Sequence, residues 1–456
     1  MSDTKPAKSA TSASVRGALA SALESANADI VHAGVFDFGT MFRERRLRRA
    51  EVLETADIAT FANVIAKWDS GEKLLFPGPY GSERVAYDLA SLRPYPFEDR
   101  AVAIVTDFTG LQADLMPRAV LKRQVEKAAA LGFEVEAAFE FEVIILDETA
   151  DTLRAKGFSN LKLFAADNRC WSGQTAATYA PFIADLENLL IRGGVGVHAL
   201  AVELGPGCLE ATLRHKPAMA AADDAAFFRM FTKAFCRQRN LTASFMPLMG
   251  TAFPGLGGHV SVSLKSKKTA KNAFADQTAP HGLSTLARNF LAGVIDIVPE
   301  AFAMCAQTVN AYRRFAPGSW APKTISWSPY NYTTAIRIAC ESETLTRMEC
   351  RLPGADCNVF LTLAMLLGAG LDGLERKLDL KDQPLLAGSP TEIPAGATRL
   401  PRDLMEATDR LRGSARTREI YGASFIEHFA KLCEAESASL VRSVSPAEIE
   451  RYLEGG

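Results

Sequence analysis

Long apolar runs and an excess of one charge are both missing from this sequence. The longest strongly apolar run covers residues 360–371. It is shorter than the roughly 20 residues that cross a bilayer, so we predict a buried helix there. Lysine and arginine total 51 against 53 aspartate and glutamate, a formal net charge of -2. Such a balance gives no field that gathers polyanions. We therefore expect neither a membrane nor a nucleic acid as a partner.

Paired cysteines and a secretion signal are missing as well. The eight cysteines are scattered without CxxC spacing, and no N-terminal segment joins a basic start to an apolar stretch. Closed zinc sites and disulfide frameworks are typically built on such paired cysteines. The pattern favours free thiols in a reducing compartment, and we predict a cytoplasmic protein.

What is present is a globular composition with a change of character along the chain. The 456 residues are 48% hydrophobic, enough for two or three domains with a substantial core. Residues 1–20 begin with a stretch rich in Ser, Thr, Ala and Lys, and we predict a flexible tail there. Over residues 29–107, short apolar stretches alternate with Gly- and Pro-containing connections, which indicates a small strand-rich domain ending near residues 116–117. Helical periodicity then predicts helices over residues 118–131, 218–238, 283–303, 360–376 and within 401–452.

One predicted strand carries a row of carboxylates. Because side chains alternate across a strand, residues 134–145 place apolar side chains on one face and four glutamates on the other. Glu140 and Glu142 are the last two of these. Taken alone, the pattern is more typical of a strand with a solvated face.

A second acidic pair lies in the segment ELGPGCLE at residues 203–210. Pro206-Gly207 suits the centre of a type II turn, and a hairpin closed there places Glu203 opposite Glu210. Like charges directly opposite each other are destabilising unless a cation lies between them. The alternative is two exposed glutamates on a loop.

Two further strands present polar faces. A glycine-rich loop runs into a strand whose polar face carries His259, Ser261 and Ser263. A lone histidine is more often structural than a ligand. In the other strand, Glu349 lies between Arg347 and Arg351 on one face, which also suits a surface ladder of ion pairs.

A shared cleft explains these strands together. Their carboxylates and single imidazole would be intolerable when buried together without cations, and two divalent ions compensate the charge. Oxygen-dominated ligation selects Mg²⁺ or Mn²⁺ rather than a closed zinc site. The candidate metal ligands are Glu140, Glu142, Glu203, Glu210, His259 and Glu349. The arginines that could hold phosphate oxygens are Arg314, Arg337, Arg347 and Arg351.

Motifs along almost the whole chain resemble the glutamine synthetase family, and in particular its branch of γ-glutamyl-amine ligases. The matching motifs are EFE at 140–142, FMP at 245–247, GH at 258–259, NAYRR at 310–314, PGSWAP at 317–322, NYTTAIR at 331–337 and RMECR at 347–351. The resemblance implies an α+β fold with a β-grasp domain over residues 21–115. A catalytic domain over residues 116–456 would hold an antiparallel β funnel surrounded by helices. It also implies a homo-oligomer, a dodecamer of two hexameric rings.

The resemblance also implies roles for individual residues. Glu142, Glu203 and Glu210 match ligands of a first metal ion. Glu140, His259 and Glu349 match those of a second. The implied nucleotide-binding residues are Ser263, Arg337 and Arg347, the catalytic residues Arg314, Arg337 and Arg351, and the substrate-binding residues Gly255, Arg314, Trp320 and Arg351.

The implied reaction is an ATP-dependent ligation. ATP, the co-substrate, would phosphorylate the γ-carboxylate of glutamate or a related acid, since a free carboxylate is a poor acyl donor. An organic amine would then attack the acyl phosphate in a water-poor funnel, releasing phosphate and leaving an amide.

Departures from the family motifs keep two other functions open. Leu248, Ser261 and Tyr332 replace polar family residues near ATP or substrate, and Cys208 replaces a glutamine. Trp320 stands where true glutamine synthetases carry the glutamate that deprotonates ammonium, which disfavours ammonia and favours a bulky amine. The alternatives are an ATP-independent metal enzyme on the same fold, such as a γ-glutamyl amide hydrolase, and a binding or structural protein.

Overall fold

A helix occupies part of the segment for which a flexible tail is predicted. In the computed structural model, which describes residues 12–250, 253–315, 319–380, 385, 386, 393 and 395–453, helix α1 spans Ser12–Ser25. Its Leu19 and Leu23 are fully buried one helical turn apart. The prediction of a flexible tail is therefore wrong for residues 12–20, because an i, i+4 pair of leucines anchors the helix. Residues 1–11 lie outside the described part.

A first sheet follows this helix. Its strands are β1 Ile30–Phe36, β2 Phe42–Arg48, β3 Thr60–Ala62, β4 Ser82–Tyr87, β5 Arg93–Pro94 and β6 Ala101–Phe108. The order is β2-β1-β6-β4-β3, with β5 also paired to β6; β1 and β6 run parallel and the other pairs antiparallel. Helices α1 and α2 (Arg49–Glu54) cover one face. The other face contributes Phe36 and Val105 to the main core, so β1 is buried on both sides.

One buried arginine joins this sheet to the rest of the chain. Arg118, in the first turn of α3 (Pro117–Ala130), donates hydrogen bonds to Asp88 at 2.6 Å, Asp107 at 2.7 Å and Asp223 at 2.8 Å. Asp88 and Asp107 belong to the sheet region, and Asp223 lies on α7 (Ala218–Arg237). The contact fixes the first sheet against the helices of the larger part. The division at residues 115 and 116 stays a prediction.

A second, larger sheet forms the centre of the molecule. Its strands are β7 Phe133–Leu146, β8 Val197–Val202, β9 Cys208–Leu213, β10 Lys216–Pro217, β11 Thr242–Ser244, β12 Gly258–Ser266, β13 Trp327–Pro329, β14 Ile336–Ala339 and β15 Arg347–Cys350. The order is β13-β14-β15-β12-β7-β9-β8, with β10 and β11 also on β7. Every pair is antiparallel except β13 with β14. The predicted alternation of β7 is confirmed as far as Val143.

Helices cover the apolar face of this sheet. The remaining helices are α4 Ala150–Ala155, α5 Gly173–Thr178, α6 Ala180–Arg192, α8 Thr285–Ala301, α9 Val309–Arg313, α10 Val359–Arg376, α11 Leu404–Gly413, α12 Ala415–Tyr421, α13 Ala423–Val441 and α14 Pro446–Tyr452. Short 3₁₀ turns occupy Asn63–Ala66, Leu89–Ser91, Pro280–Gly282 and Phe302–Met304. The helices predicted over residues 118–131, 218–238, 283–303 and 360–376 are confirmed, each within two residues of its predicted bounds, and helices α11 to α14 lie within residues 401–452 as predicted.

The apolar run at residues 360–371 lies inside α10, which is buried from Val359 to Gly373. This helix packs closely on α8, because a Cβ at Gly293 would lie 2.6 Å from the Cα of Gly373. Only glycine allows the two backbones to approach so closely. In the described part of the chain, no helix combines the length and apolarity that a membrane span requires.

Candidate active site

Three neighbouring strands bring His259, Glu140 and Glu349 together. In the sheet register His259 of β12 lies opposite Glu140 of β7, while Glu349 of β15 lies opposite Ser261 of β12. The Nδ1 atom of His259 is 3.0 Å from Oε1 of Glu140 and 3.6 Å from Oε1 of Glu349. Each residue offers a ligand atom within 4.8 Å of the others, and among the described residues no other such trio is found. These are the residues predicted for the second metal ion.

Two arginines share the carboxylate of Glu349. Nη1 of Arg351 donates to Oε1 at 2.5 Å, and Nε of Arg337 donates to Oε2. Glu349 is only 4% exposed. A buried carboxylate is tolerated when its charge is compensated by close cations. The pair of guanidiniums therefore compensates the charge of Glu349.

The protonation of Glu140 reflects its neighbours. Burial by itself raises the pKa of this carboxyl, but the hydrogen bond and charge of His259 and the charge of Arg351 lower the pKa to about 2. The hydroxyl of Thr212, which faces Glu140 on β9, also donates to the carboxylate at 3.2 Å. Glu140 is therefore an anion throughout the physiological range.

The other three predicted ligands form a crowded acidic group. Glu142 lies directly opposite Glu210 in the β7–β9 register, and its Oε2 accepts the Gly257 N–H at 2.6 Å. Burial and the charges of Glu140, Glu203 and Glu142 raise the pKa of Glu210 to about 8. A cation among these carboxylates would relieve the repulsion. Their ligand atoms do not converge as closely as those of the first cluster.

The hairpin register predicted for residues 203–210 is wrong. Glu210 pairs with Ala201 rather than with Glu203. The predicted turn does form, because the Cys208 N–H donates to the Gly205 carbonyl at 3.2 Å and Gly207 has a φ of +69°. However, the Glu203 N–H donates to the Cys208 carbonyl, so Leu204 and Gly205 are extra residues in the connection. A type II turn does not match the twist of a two-residue hairpin, and the added residues accommodate it.

A loop that the sequence did not single out contacts Glu203. The Cys170 thiol donates to Oε1 at 3.2 Å, and the Trp171 indole N–H donates to Oε2 at 3.1 Å. The Leu204 N–H donates to Oε1 at 2.7 Å. No periodic pattern marks residues 170–171, so the sequence held no signal for them. The sequence did hold a signal for Thr212, because this residue lies two positions after Glu210 on the same strand face.

Arg314 is buried, and its guanidinium donates hydrogen bonds to the main chain. It donates to the Leu352 carbonyl at 2.9 Å and to the Arg351 carbonyl at 3.2 Å. Burial lowers the pKa of Arg314, and no carboxylate among the described residues lies within ion-pair distance. The loop before β12 passes close by, since a Cβ at Gly255 would lie 2.8 Å from Cγ of Arg314. Gly255 and Arg314, two of the four predicted substrate-binding residues, therefore lie next to each other in the structure.

Three other predicted site residues make no contact with the cluster in the described part of the chain. Arg347 donates to the Leu345 carbonyl at 3.0 Å and lies 3.6 Å from Glu341. Ser263 lies opposite Glu136 on the sheet. Trp320 is 64% exposed, and the first two residues of its PGSWAP motif, 317 and 318, lie outside the described residues. The roles of all three stay predictions. Cys208 is buried, as expected for a packing residue.

Comparison with known proteins identifies the family. The model of the glutamine synthetase catalytic domain matches residues 114–452. The chain belongs to the glutamine synthetase family. A glutamate–isopropylamine ligase of Pseudomonas sp is 30% identical over 95% of this chain and 96% of its own length. Type-1 glutamine synthetase 2 of Dictyostelium discoideum is 32% identical over 86% of this chain and 77% of its own length.

A solved structure of the family supports the same assignment. A complex of GmaS with ADP has a TM-score of 0.81 and 25% identity, covering 96% of this chain and 99% of that one. The predicted family and the predicted α+β glutamine synthetase-like fold are confirmed. Membership of this family identifies the chain as a ligase that forms carbon–nitrogen bonds, and it favours this function over the hydrolase alternative.

Proposed function

We propose that this chain joins the γ-carboxylate of glutamate, or a related acid, to an organic amine through an acyl phosphate made from ATP. The support for the acid and the amine is similarity over nearly the full length to a glutamate–isopropylamine ligase. The support for the nucleotide is similarity to a structure whose complex contains ADP. The exposed indole of Trp320, in place of an acidic residue, favours an alkyl or aryl amine over ammonium.

The observation that carries the proposal is the cluster of Glu140, His259 and Glu349. Two carboxylate oxygens and one imidazole nitrogen within 4.8 Å form a donor set that suits Mg²⁺ or Mn²⁺. The low pKa of Glu140 keeps this ligand ionised. We propose that a second divalent ion is held by Glu142, Glu203 and Glu210, whose mutual repulsion a cation would offset. Such ions neutralise phosphate oxygens when bound.

The chain's own cations complete the phosphate side of the site. Arg337 and Arg351 are held in place by the two oxygens of Glu349, so their remaining N–H groups are directed before any ligand arrives. A planar guanidinium can donate two parallel hydrogen bonds to a phosphoryl group. We propose that Arg337, with Ser263 and Arg347, binds the nucleotide and that Arg351 faces the transferred phosphoryl group.

The acid would bind beside Arg314. This guanidinium already donates to two main-chain carbonyls, which fixes its orientation. Gly255 allows the loop to pass against it, because a side chain there would occupy the space of Arg314. We propose that Arg314 and Gly255 orient the acid for phosphorylation and that the amine enters beside Trp320. As in the family pattern, we propose a cytoplasmic dodecamer of two hexameric rings, which sedimentation velocity would test.

A substrate panel tests the proposed reaction. The protein is incubated with Mg²⁺, ATP, glutamate and one amine at a time, from ammonium and methylamine to isopropylamine and aniline. We expect phosphate release and amide formation in equal amounts, only when both acid and amine are present, and less with ammonium than with the organic amines. Cleavage of γ-glutamyl amides without ATP would instead establish the hydrolase.

A matched pair of variants on β7 tests the cluster. Glu140→Gln removes a charged ligand, whereas Glu134→Gln removes an exposed carboxylate on the same strand. We expect Glu140→Gln to lower kcat/KM by at least about 100-fold, the scale of losing an oriented catalytic group. Glu134→Gln should stay within twofold of the wild type. Equal activity of the two variants would exclude the proposed role of the cluster.

A further inference from the structure

The ring of Tyr332 lies where the two arginines of the site meet. Its centroid is 4.6 Å from Cζ of Arg337 and 5.4 Å from Cζ of Arg351. Both guanidiniums also bind Glu349. An aromatic face attracts cations at these distances. One ring and one carboxylate therefore hold the same pair of guanidiniums.

The main chain around Tyr332 is fixed independently of its hydroxyl group. The Thr333 N–H donates to Oδ1 of Asn331 at 2.9 Å, and the hydroxyl of the fully buried Thr334 donates to the Asn331 carbonyl at 2.9 Å. The Tyr332 carbonyl accepts a hydrogen bond from Nε of Arg351 at 2.8 Å. The phenol hydroxyl has no hydrogen-bond partner among the described residues. The ring and the carbonyl, rather than the hydroxyl, make the contacts.

The electrostatics explain why an aromatic ring suits this position. Arg337 and Arg351 share the carboxylate of Glu349, and like charges at short range repel each other. A third cation at position 332 would increase that repulsion. A ring adds no charge and attracts both guanidiniums through its face. It therefore restrains the two arginines without competing for Glu349.

We propose that Tyr332 is a positioning residue that keeps Arg337 and Arg351 directed toward the phosphate groups of the nucleotide. This inference rests on the proposed function, since it requires these arginines to face phosphate. The aromatic face is the part of the side chain that acts. Phenylalanine should therefore replace tyrosine, whereas an aliphatic side chain should not.

Three single variants test this role. Tyr332→Phe keeps the ring, and Tyr332→Leu removes it. Tyr330→Leu is the control, because Tyr330 is similarly exposed two residues away but contacts neither arginine. We expect Tyr332→Leu to raise the KM for ATP about tenfold, with the KM for the amine within twofold of the wild type. Tyr332→Phe and Tyr330→Leu should both stay within twofold for ATP.

A binding measurement separates positioning from a folding defect. The dissociation constant of ADP, measured by isothermal titration calorimetry with Mg²⁺ present, should rise about tenfold in Tyr332→Leu and remain unchanged in Tyr332→Phe. A partly unfolded protein would lower the number of binding sites and leave the dissociation constant unchanged. That result would overturn the proposal.

A double-mutant cycle tests the contact itself. Arg337→Lys removes the planar guanidinium, and its effect on ADP affinity should be smaller in the Tyr332→Leu background than in the wild type. Additive effects would overturn the inference while leaving the ligase function intact. A wild-type protein that neither binds ADP nor forms an amide would overturn the proposed function, and the inference with it.

Discussion

The buried arginine between the first sheet and the larger part of the molecule is expected to contribute strongly to stability. Arg118 is 3% exposed and is the shared partner of Asp88, Asp107 and Asp223. Substitution by leucine would leave three neighbouring carboxylates without their cation. Breaking a buried ion pair from one side destabilises by about 3–5 kcal/mol. We expect Arg118→Leu to lower the free energy of unfolding by about 4 kcal/mol at pH 8.

The loss should depend on pH in a defined direction. Burial and the neighbouring Asp223 and Asp88 raise the pKa of Asp107, and Arg118 opposes that shift. Without Arg118 the pKa of Asp107 should rise further above the ordinary value of about 4. The folded state then binds more protons than the unfolded state between that value and the raised pKa, so stability falls as pH rises through this window. The difference from the wild type should therefore be smaller at pH 5 than at pH 8.

Urea denaturation at fixed protein concentration, followed by fluorescence at pH 5 and pH 8, measures both effects. The control is Lys127→Leu, on the same helix as Arg118, which removes a partly exposed ion pair with Glu375 of α10. A pair of this kind contributes up to about 1 kcal/mol. If Arg118→Leu is no less stable than the Lys127→Leu control, or is equally destabilised at both pH values, Arg118 does not have the stabilising role expected of it.

Three further predictions concern other contacts. His32→Phe should keep the stacking on Tyr95 but lose the bonds to Glu44 and Glu98. Although burial lowers the pKa of His32, these carboxylates raise it overall. The two hydrogen bonds should stabilise the folded state by about 2 kcal/mol at pH 6, as measured by urea denaturation. This contribution should be lost as pH rises through the raised pKa of His32. Gly293→Ala should lower the free energy of unfolding by about 2 kcal/mol or more, because the new Cβ would meet Gly373. Gly17→Ala in α1 should not lower it, because nothing lies within 4 Å of a Cβ at that position. Cys170→Ala should leave the fold unchanged by circular dichroism, since this thiol is exposed, and should weaken Mn²⁺ binding in calorimetry by less than tenfold.

The local parts of the fold could be predicted from the sequence. The alternation in β7 follows from the two-residue period of a strand, and α10 follows from an apolar run bounded by an Asn cap. The helix over residues 12–20 had a signal in the spacing of Leu19 and Leu23. The composition of the first residues outweighed that signal in the prediction of a tail.

The arrangement of the site depends on pairings that no local pattern determines. His259 faces Glu140 only because β12 pairs with β7 in one particular register. The family resemblance grouped these residues as ligands of one metal ion without predicting the strand pairing, and strand periodicity alone left a solvated face as an alternative. At Glu203 the turn was predicted correctly but the strand register was not. Two more residues lie in the connection than in the predicted two-residue hairpin.

Anomalous diffraction from crystals grown with MnCl₂ would show whether Glu140, His259 and Glu349 hold a metal ion. We expect a manganese peak within coordination distance of Glu140, His259 and Glu349. In crystals of Glu140→Gln the peak should be weakened or lost, and in crystals of Glu134→Gln it should be retained. If these three side chains diverge in crystals of the wild-type protein and no manganese peak lies among them, the proposed metal site does not exist.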